Sequence, residues 1–196
     1  MERRAAMVEQ IISGQVIDAC QQGDRDAFRI LFETYKDRVY SIAVYSLGGD
    51  TTCADDVTQQ IFLKLFTAIK QFRGDSEFTT WLYRLVVNAC MDERRRQRRL
   101  LPFGEAFVMK HPSERKPQEK QYGKKETAEA VQSAIAQLKP KFRLPILLKY
   151  IEGLSYEEIA QVMGCSKGTV ASRLNRGHGQ LAKRLSHLRS HVLGEG

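Results

Sequence analysis

Three groups of side chains in this 196-residue chain have the types and spacing to do chemistry. The first is Asp55 and Asp56, adjacent within Ala54-Asp55-Asp56-Val57-Thr58-Gln59-Gln60, which opens an amphipathic helix. Paired carboxylates can hold a metal ion or trade protons, yet no His or further carboxylate stands where it would complete such a site. Two readings stay open for them: stabilisation of a helix N-terminus through its dipole, and a protein contact made by the polar face.

The second group is FRGDSEFTTWLYRLVVN, Phe72 to Asn88, followed by the basic run Arg94-Arg95-Arg96-Gln97-Arg98-Arg99. Rings mixed with cations suit a single-stranded nucleic acid, because bases stack on the rings while Arg and Lys neutralise phosphate. Phe78 and Trp81 also sit at core helical spacing. The residues alone leave both readings open.

The third group, Gly153 to Gly177, reads GLSYEEIAQVMGCSKGTVASRLNRG. Ser155 with Glu158 makes a capping box, and Leu154 with Ile159 a hydrophobic staple, so a helix starts there. Gly164 stops it and Ser166 caps a second helix. With Val170 and Leu174 inward, Lys167, Thr169, Ala171, Ser172, Asn175 and Arg176 face largely outward. This is a helix-turn-helix with an exposed recognition face, and from Ser166 to Leu193 it carries six Lys/Arg and no carboxylate. Phosphate favours such a stretch, and Arg and Asn on a helix in the major groove read guanine and adenine.

The elements that must position these groups are helices. Phe28, Leu31, Phe32, Tyr35, Val39 and Ile42 form one apolar stripe; Val57, Ile61, Leu65 and Ile69 a second; Trp81, Leu82, Leu85, Val86 and Ala89 a third. Gly48-Gly49-Asp50 and Phe72 to Ser76 separate them, with Asp75 or Ser76 expected to cap the third. Periodicity fades from about Gln97 to Lys125, where Pro102, Pro112 and Pro117 interrupt the chain. It resumes at Val131, Ile135 and Leu138 and continues beyond Pro140, with a kink expected at Pro145. The expected fold is all-α: two small helical domains, 1–99 and 126–196, joined by a flexible linker over 100–125.

Charge sharpens the division. Residues 1–92 hold 10 Lys/Arg against 13 Asp/Glu, and residues 93–196 hold 21 against 10, which gives −3 and +11 and sums to the overall +8. A polyanionic partner follows for the second half. Cys20, Cys53, Cys90 and Cys165 are scattered without a CxxC pair, so reduced thiols are expected, with no metal and no cofactor. No apolar run is long enough to span a membrane, and the polar start Met1 to Gln10 does not resemble a secretory signal, which predicts a cytoplasmic protein.

In order and in kind, AFRILFETY, ADDVTQQIFLKLF, FRGDSEFTTWLYRLVVNAC and YIEGLSYEEIAQVMGCSKGTVASRLNRG resemble the extracytoplasmic-function sigma factors of bacterial RNA polymerase, over roughly 20–99 and 126–190. The resemblance implies a non-enzymatic transcription factor with no small-molecule substrate. Its first domain, sigma region 2, would bind the polymerase clamp helices through Asp56, Gln59 and Gln60. The loop before the Trp helix would capture a flipped base of the minus-10 element, which implicates Phe72, Arg73, Gly74, Asp75 and Ser76, with Lys64, Trp81, Arg84 and Asn88. Extruding a base costs a few kcal/mol, so a pocket that holds it turns sequence into melting energy.

The second domain, region 4, would dock on the polymerase flap and read the minus-35 element. Ser172, Asn175 and Arg176 would read bases and Arg173 would hold phosphate, with Lys167 and Thr169 on the same face. Ala171 departs from the basic residue often found there. Gly177-His178-Gly179 departs from a helix-favouring sequence, each glycine costing about 1 kcal/mol relative to Ala. The resemblance also implies an anti-sigma protein wedged between the domains and hiding both polymerase-binding faces.

Three rival readings are weaker. A ligand-responsive or receiver-type regulator calls for strands that residues 1–99 do not offer. A nuclease or recombinase calls for a catalytic set that is missing. An architectural DNA-binding protein leaves the acidic N-terminal half unexplained.

Overall fold

A computed structural model describes residues 14–100 and 130–186, all of whose regular structure is helical. Helix α1 is Gly14–Gln21, α2 Arg25–Ser46, α3 Thr51–Ala68 and α4 Phe78–Leu100, with a short 3-10 turn Ile69–Gln71 after α3. A helical segment over 130–136 is α5; α6 is Pro140–Tyr150, α7 Tyr156–Met163 and α8 Lys167–Arg184. The expected all-α fold is thus present. The linker expected over 100–125 lies, from 101 onward, outside the described residues.

Local chemistry explains the helix starts. Asp24 caps α2, its carboxylate accepting from the amides of Asp26 at 2.8 Å and Ala27 at 3.1 Å. Asp50 caps α3 through Cys53 N–H at 3.0 Å. Asp55 and Asp56 therefore fall in the second turn, past the reach of the terminal dipole, and the first of their two open readings loses its ground. Helix α4 starts at Phe78, so its cap position falls on Glu77 rather than on Asp75 or Ser76. It also runs through the basic stretch to Leu100, past the point where apolar periodicity fades.

The three apolar stripes pack as expected. Leu31, Tyr35, Val39 and Ile42 of α2, Val57, Ile61 and Leu65 of α3, and Leu82, Val86 and Cys90 of α4 are buried in one cluster. Helix α1, which the stripes did not include, adds Cys20 to this core, and Gln21 of α1 donates to the carbonyls of Ile69 at 3.2 Å and Phe72 at 2.7 Å. Those bonds tie the loop before α4 to the first helix.

Helix α6 is buried on every side from Phe142 to Leu148, and Pro145 sits inside it without ending it. A helix apolar all round needs partners on two faces. One is α8, where Gly177 lies against Ile146 and the Phe142 carbonyl. The other is α2, while α7 packs along α4. Leu138, Leu144 and Leu148 consequently share one continuous core with α2, α3 and α4. The two halves separated by the linker pack directly on each other.

Candidate promoter and polymerase interfaces

Helix α4 presents an aromatic cluster at its start. Phe72 lies 5.5 Å from Phe78 and 5.3 Å from Trp81, ring centre to ring centre. Phe78 is buried, whereas Phe72 and Trp81 are half-exposed, so Trp81 is packed on the core and presented to solvent at once. Beside them opens a cavity of ≈ 380 Å³ lined by Gln71, Phe72, Arg73, Asp75, Ser76, Trp81, Arg84, Leu85 and Asn88. Seven of the nine residues implicated in minus-10 contact line it. Gly74 is at φ 75° in the same loop without lining the cavity, and Lys64 is exposed on α3, also outside it. Gln71 was not singled out from the sequence, and the fold of the loop brings it in; Leu85, expected only as part of the third apolar stripe, lines the cavity one turn after Trp81.

The helix-turn-helix is built as its sequence dictates. Ser155 Oγ accepts from Glu158 N–H at 3.2 Å, and Glu158 accepts from Ser155 N–H at 2.7 Å, which completes the capping box. Gly164 turns the chain at φ 59°, and Ser166 Oγ accepts from Thr169 N–H at 3.2 Å to start α8. Val170 and Leu174 are buried, while Lys167, Ser172, Asn175 and Arg176 are exposed and Thr169 and Arg173 half-exposed. A second cavity, ≈ 430 Å³, collects Thr169, Ser172, Arg173 and Arg176 with Lys141, Phe142, Ser166 and Gly168. Lys167 and Asn175 are not in its lining. Lys167 instead pairs with Glu157 of α7, which lowers the Glu157 carboxyl pKa below its ordinary value. Lys141, a cation from α6 that sequence reading passed over, joins this surface.

The third surface is the outer face of α3. Asp56, Gln59 and Gln60 are exposed along one stripe, and Leu63 and Phe66 continue it, 72% and 40% exposed. Phe66 also packs edge-on against Phe28 of α2, ring centres 5.0 Å apart. Their sequence signal was available, since Leu63 and Phe66 fall off the buried stripe Val57, Ile61, Leu65. On the other half of the molecule Tyr150 and Ile151 are likewise exposed, Tyr150 against His178 at 5.5 Å.

Among the described residues no cluster of His, Cys, Asp or Glu could hold a metal ion, and no helix is long and apolar enough to cross a membrane.

Comparison with known proteins identifies the family. Residues 31–100 match the family described as Sigma-70 region 2, and residues 128–181 that described as Sigma-70, region 4. The ECF RNA polymerase sigma-E factor of Escherichia coli K12 is 35% identical over 179 residues, covering 87% of this chain and 92% of the relative. That of Haemophilus influenzae is 31% identical over 190 residues, covering 93% and 100%. Among solved structures, CnrH in complex with the cytosolic domain of CnrY superposes with a TM-score of 0.63 at 26% identity, covering 88% and 96%. The sigma factor RpoE in complex with the anti-sigma factor NepR from Bartonella quintana shares the fold, with a TM-score of 0.65 at 23% identity, covering 81% and 96%.

Proposed function

The chain belongs to the extracytoplasmic-function sigma factors of the sigma-70 family, and from that premise we propose how its surfaces divide the work of promoter-specific initiation. Residues 1–99 act as region 2 and residues 126–196 as region 4. The protein catalyses nothing itself and works in the cytoplasm, where polymerase and promoter DNA are.

The cavity beside Trp81 carries the reading. It gathers two half-exposed rings, Arg73 and Arg84, the carboxylate of Asp75, and the polar side chains of Ser76 and Asn88. Rings stack on an extruded base, the polar groups read its edge, and the cations hold the flanking phosphates. Region 4 reads minus-35 duplex with Ser172, Asn175 and Arg176, while Arg173, Lys167 and Lys141 hold phosphate. Asp56, Gln59 and Gln60, extended by Leu63 and Phe66, bind the polymerase clamp helices. Tyr150 and Ile151 serve the flap contact.

An anti-sigma partner belongs to this reading too, since the similar RpoE structure is of a complex with the anti-sigma factor NepR and the CnrH structure is of a complex with the cytosolic domain of CnrY. The test is run-off transcription with bacterial core polymerase on genomic fragments. Initiation at discrete sites only when the protein is added is the expected result. No binding to core polymerase, with tight binding to free duplex, would sink it.

A further inference from the structure

The loop that walls the cavity beside Trp81 does little to hold itself. Arg73, Gly74 and Asp75 are exposed and Ser76 half-exposed, and among the described residues none hydrogen-bonds to these four. A reading site keeps its groups in place to within about 0.5 Å, which takes supporting bonds behind it. Here the support lies at the ends of the loop. At the far end α4 begins with the buried Phe78. At the near end stands Phe72, whose ring meets Phe78 and Trp81 and whose carbonyl accepts from Gln21 Nε2 at 2.7 Å. The same amide donates to the Ile69 carbonyl at 3.2 Å. One side-chain NH2, with its two hydrogens, thus serves the first residue of the 3-10 turn and the residue that follows it.

Gln21 can do this because the end of α1 is itself fixed. Gly23, at φ 91°, closes a Schellman motif: its N–H donates to the Cys20 carbonyl at 3.0 Å, and Asp24 N–H donates to the Ala19 carbonyl at 3.0 Å. Asp24 then caps α2, and Cys20 is buried in the core, so the last turn of α1 is anchored on both sides of Gln21. Apolar packing already holds Ile69 and Phe78. What the two Gln21 bonds add is the direction in which the chain leaves Phe72, and with it where Arg73, Asp75 and Ser76 stand around the cavity.

We propose that Gln21 is a positioning residue for minus-10 reading, its amide fixing the base-capture loop through the carbonyls of Ile69 and Phe72. The proposal rests on the reading of the cavity beside Trp81 as the base site. Gln21 lies ahead of residues 31–100, which match region 2, and does not line the cavity. It acts on the base only through the loop.

The test removes the donor and keeps the size of the side chain. Holoenzyme made with the full chain is assayed by run-off on the promoter and on copies substituted at each minus-10 base. Wild-type protein should lose about tenfold in initiation when the captured base is substituted. Gln21→Met, and Gln21→Glu with a carboxylate that only accepts, should shrink that ratio to about twofold, as expected for loss of an ordinary hydrogen bond. Gln21→Lys, whose ammonium still donates, should stay within about twofold of the wild-type ratio. Poorer folding lowers initiation on all promoters together and leaves the ratio alone. Trp81, the one tryptophan in the sequence, gives a second readout in the free chain: acrylamide quenching should rise in the Met and Glu variants and not in Lys. An unchanged ratio in a Met or Glu variant that binds core polymerase, or a Lys ratio as low as that of Met, would overturn the proposal. So would failure of both Met and Glu variants to bind core polymerase, which would make Gln21 a folding residue. If the wild type has no sensitive minus-10 base, the base-site reading fails instead, and quenching alone then decides whether Gln21 holds the loop.

Discussion

Arg176 stands exposed on α8 between Asn175 and the buried Gly177, sharing a cavity with Ser172 and Arg173. A bidentate Arg contact to guanine discriminates bases, whereas a phosphate contact only strengthens binding. Arg176→Ala should cost about 1–3 kcal/mol in promoter-specific initiation, read as the drop in run-off product on promoters carrying the minus-35 element. An equal drop on promoters without it would remove Arg176 from base reading. Lys167 differs, because Glu157 already holds it. Residue placements were legible where a side chain's own helix decides its exposure, as for Ser172, Asn175 and Arg176. They were not legible for Lys141, Gln71 or Arg143, whose surroundings come from distant segments.

At the scale of elements, α6 and α8 cross at Gly177. Its two-glycine stretch looked like a weakness in the sequence, and the packing gives the reason for one glycine but not the other. A Cβ on Gly177 would meet Ile146 Cδ1 at 2.6 Å and the Phe142 carbonyl at 3.4 Å, whereas one on Gly179 meets nothing within 4 Å. Gly179→Ala should therefore stabilise by up to about 1 kcal/mol through helix propensity. Gly177→Ala should destabilise, overpacking of about 1–3 kcal/mol outweighing the same gain, and Ile146→Val should relieve it. Thermal melts of the two substitutions moving the same way would contradict this. The turn between α6 and α7 offers a second test. Burial raises the Glu152 carboxyl above the ordinary carboxylate range, partly offset by Tyr83 and Arg38. The packed state then holds its proton more tightly than the separated one, so packing is favoured at acid pH and weakens as pH rises through that range. Scattering by the full chain should show a smaller radius at pH 5 than at pH 7.5, with the difference lost in Glu152→Gln. The helix-turn-helix and the three stripes were readable because caps and periodicity are local. Helix α1 and the α4–α7 contact were not, because each is stabilised by partners far along the chain.

For the whole molecule, the uneven charge and the closed packing together set what the free protein can bind. The basic half places Lys167, Arg176 and Lys183 exposed on α8, with Arg173 and Arg184 half-exposed, and the packing of the two halves leaves this face open while the end of α7 faces the exposed Arg84 and Asn88 across a cavity. The free chain should therefore bind minus-35 duplex weakly and gain little from an adjoining minus-10 element. If α8 neutralises about four phosphates, log affinity should fall with log salt at a slope of about −3.6, since each contributes about −0.9. Titration of duplex with and without the minus-10 element at several salt concentrations measures both quantities. A slope near zero would deny α8 its phosphate contacts. A much steeper slope, with tighter binding when both elements are present, would mean that the free chain already reads both elements.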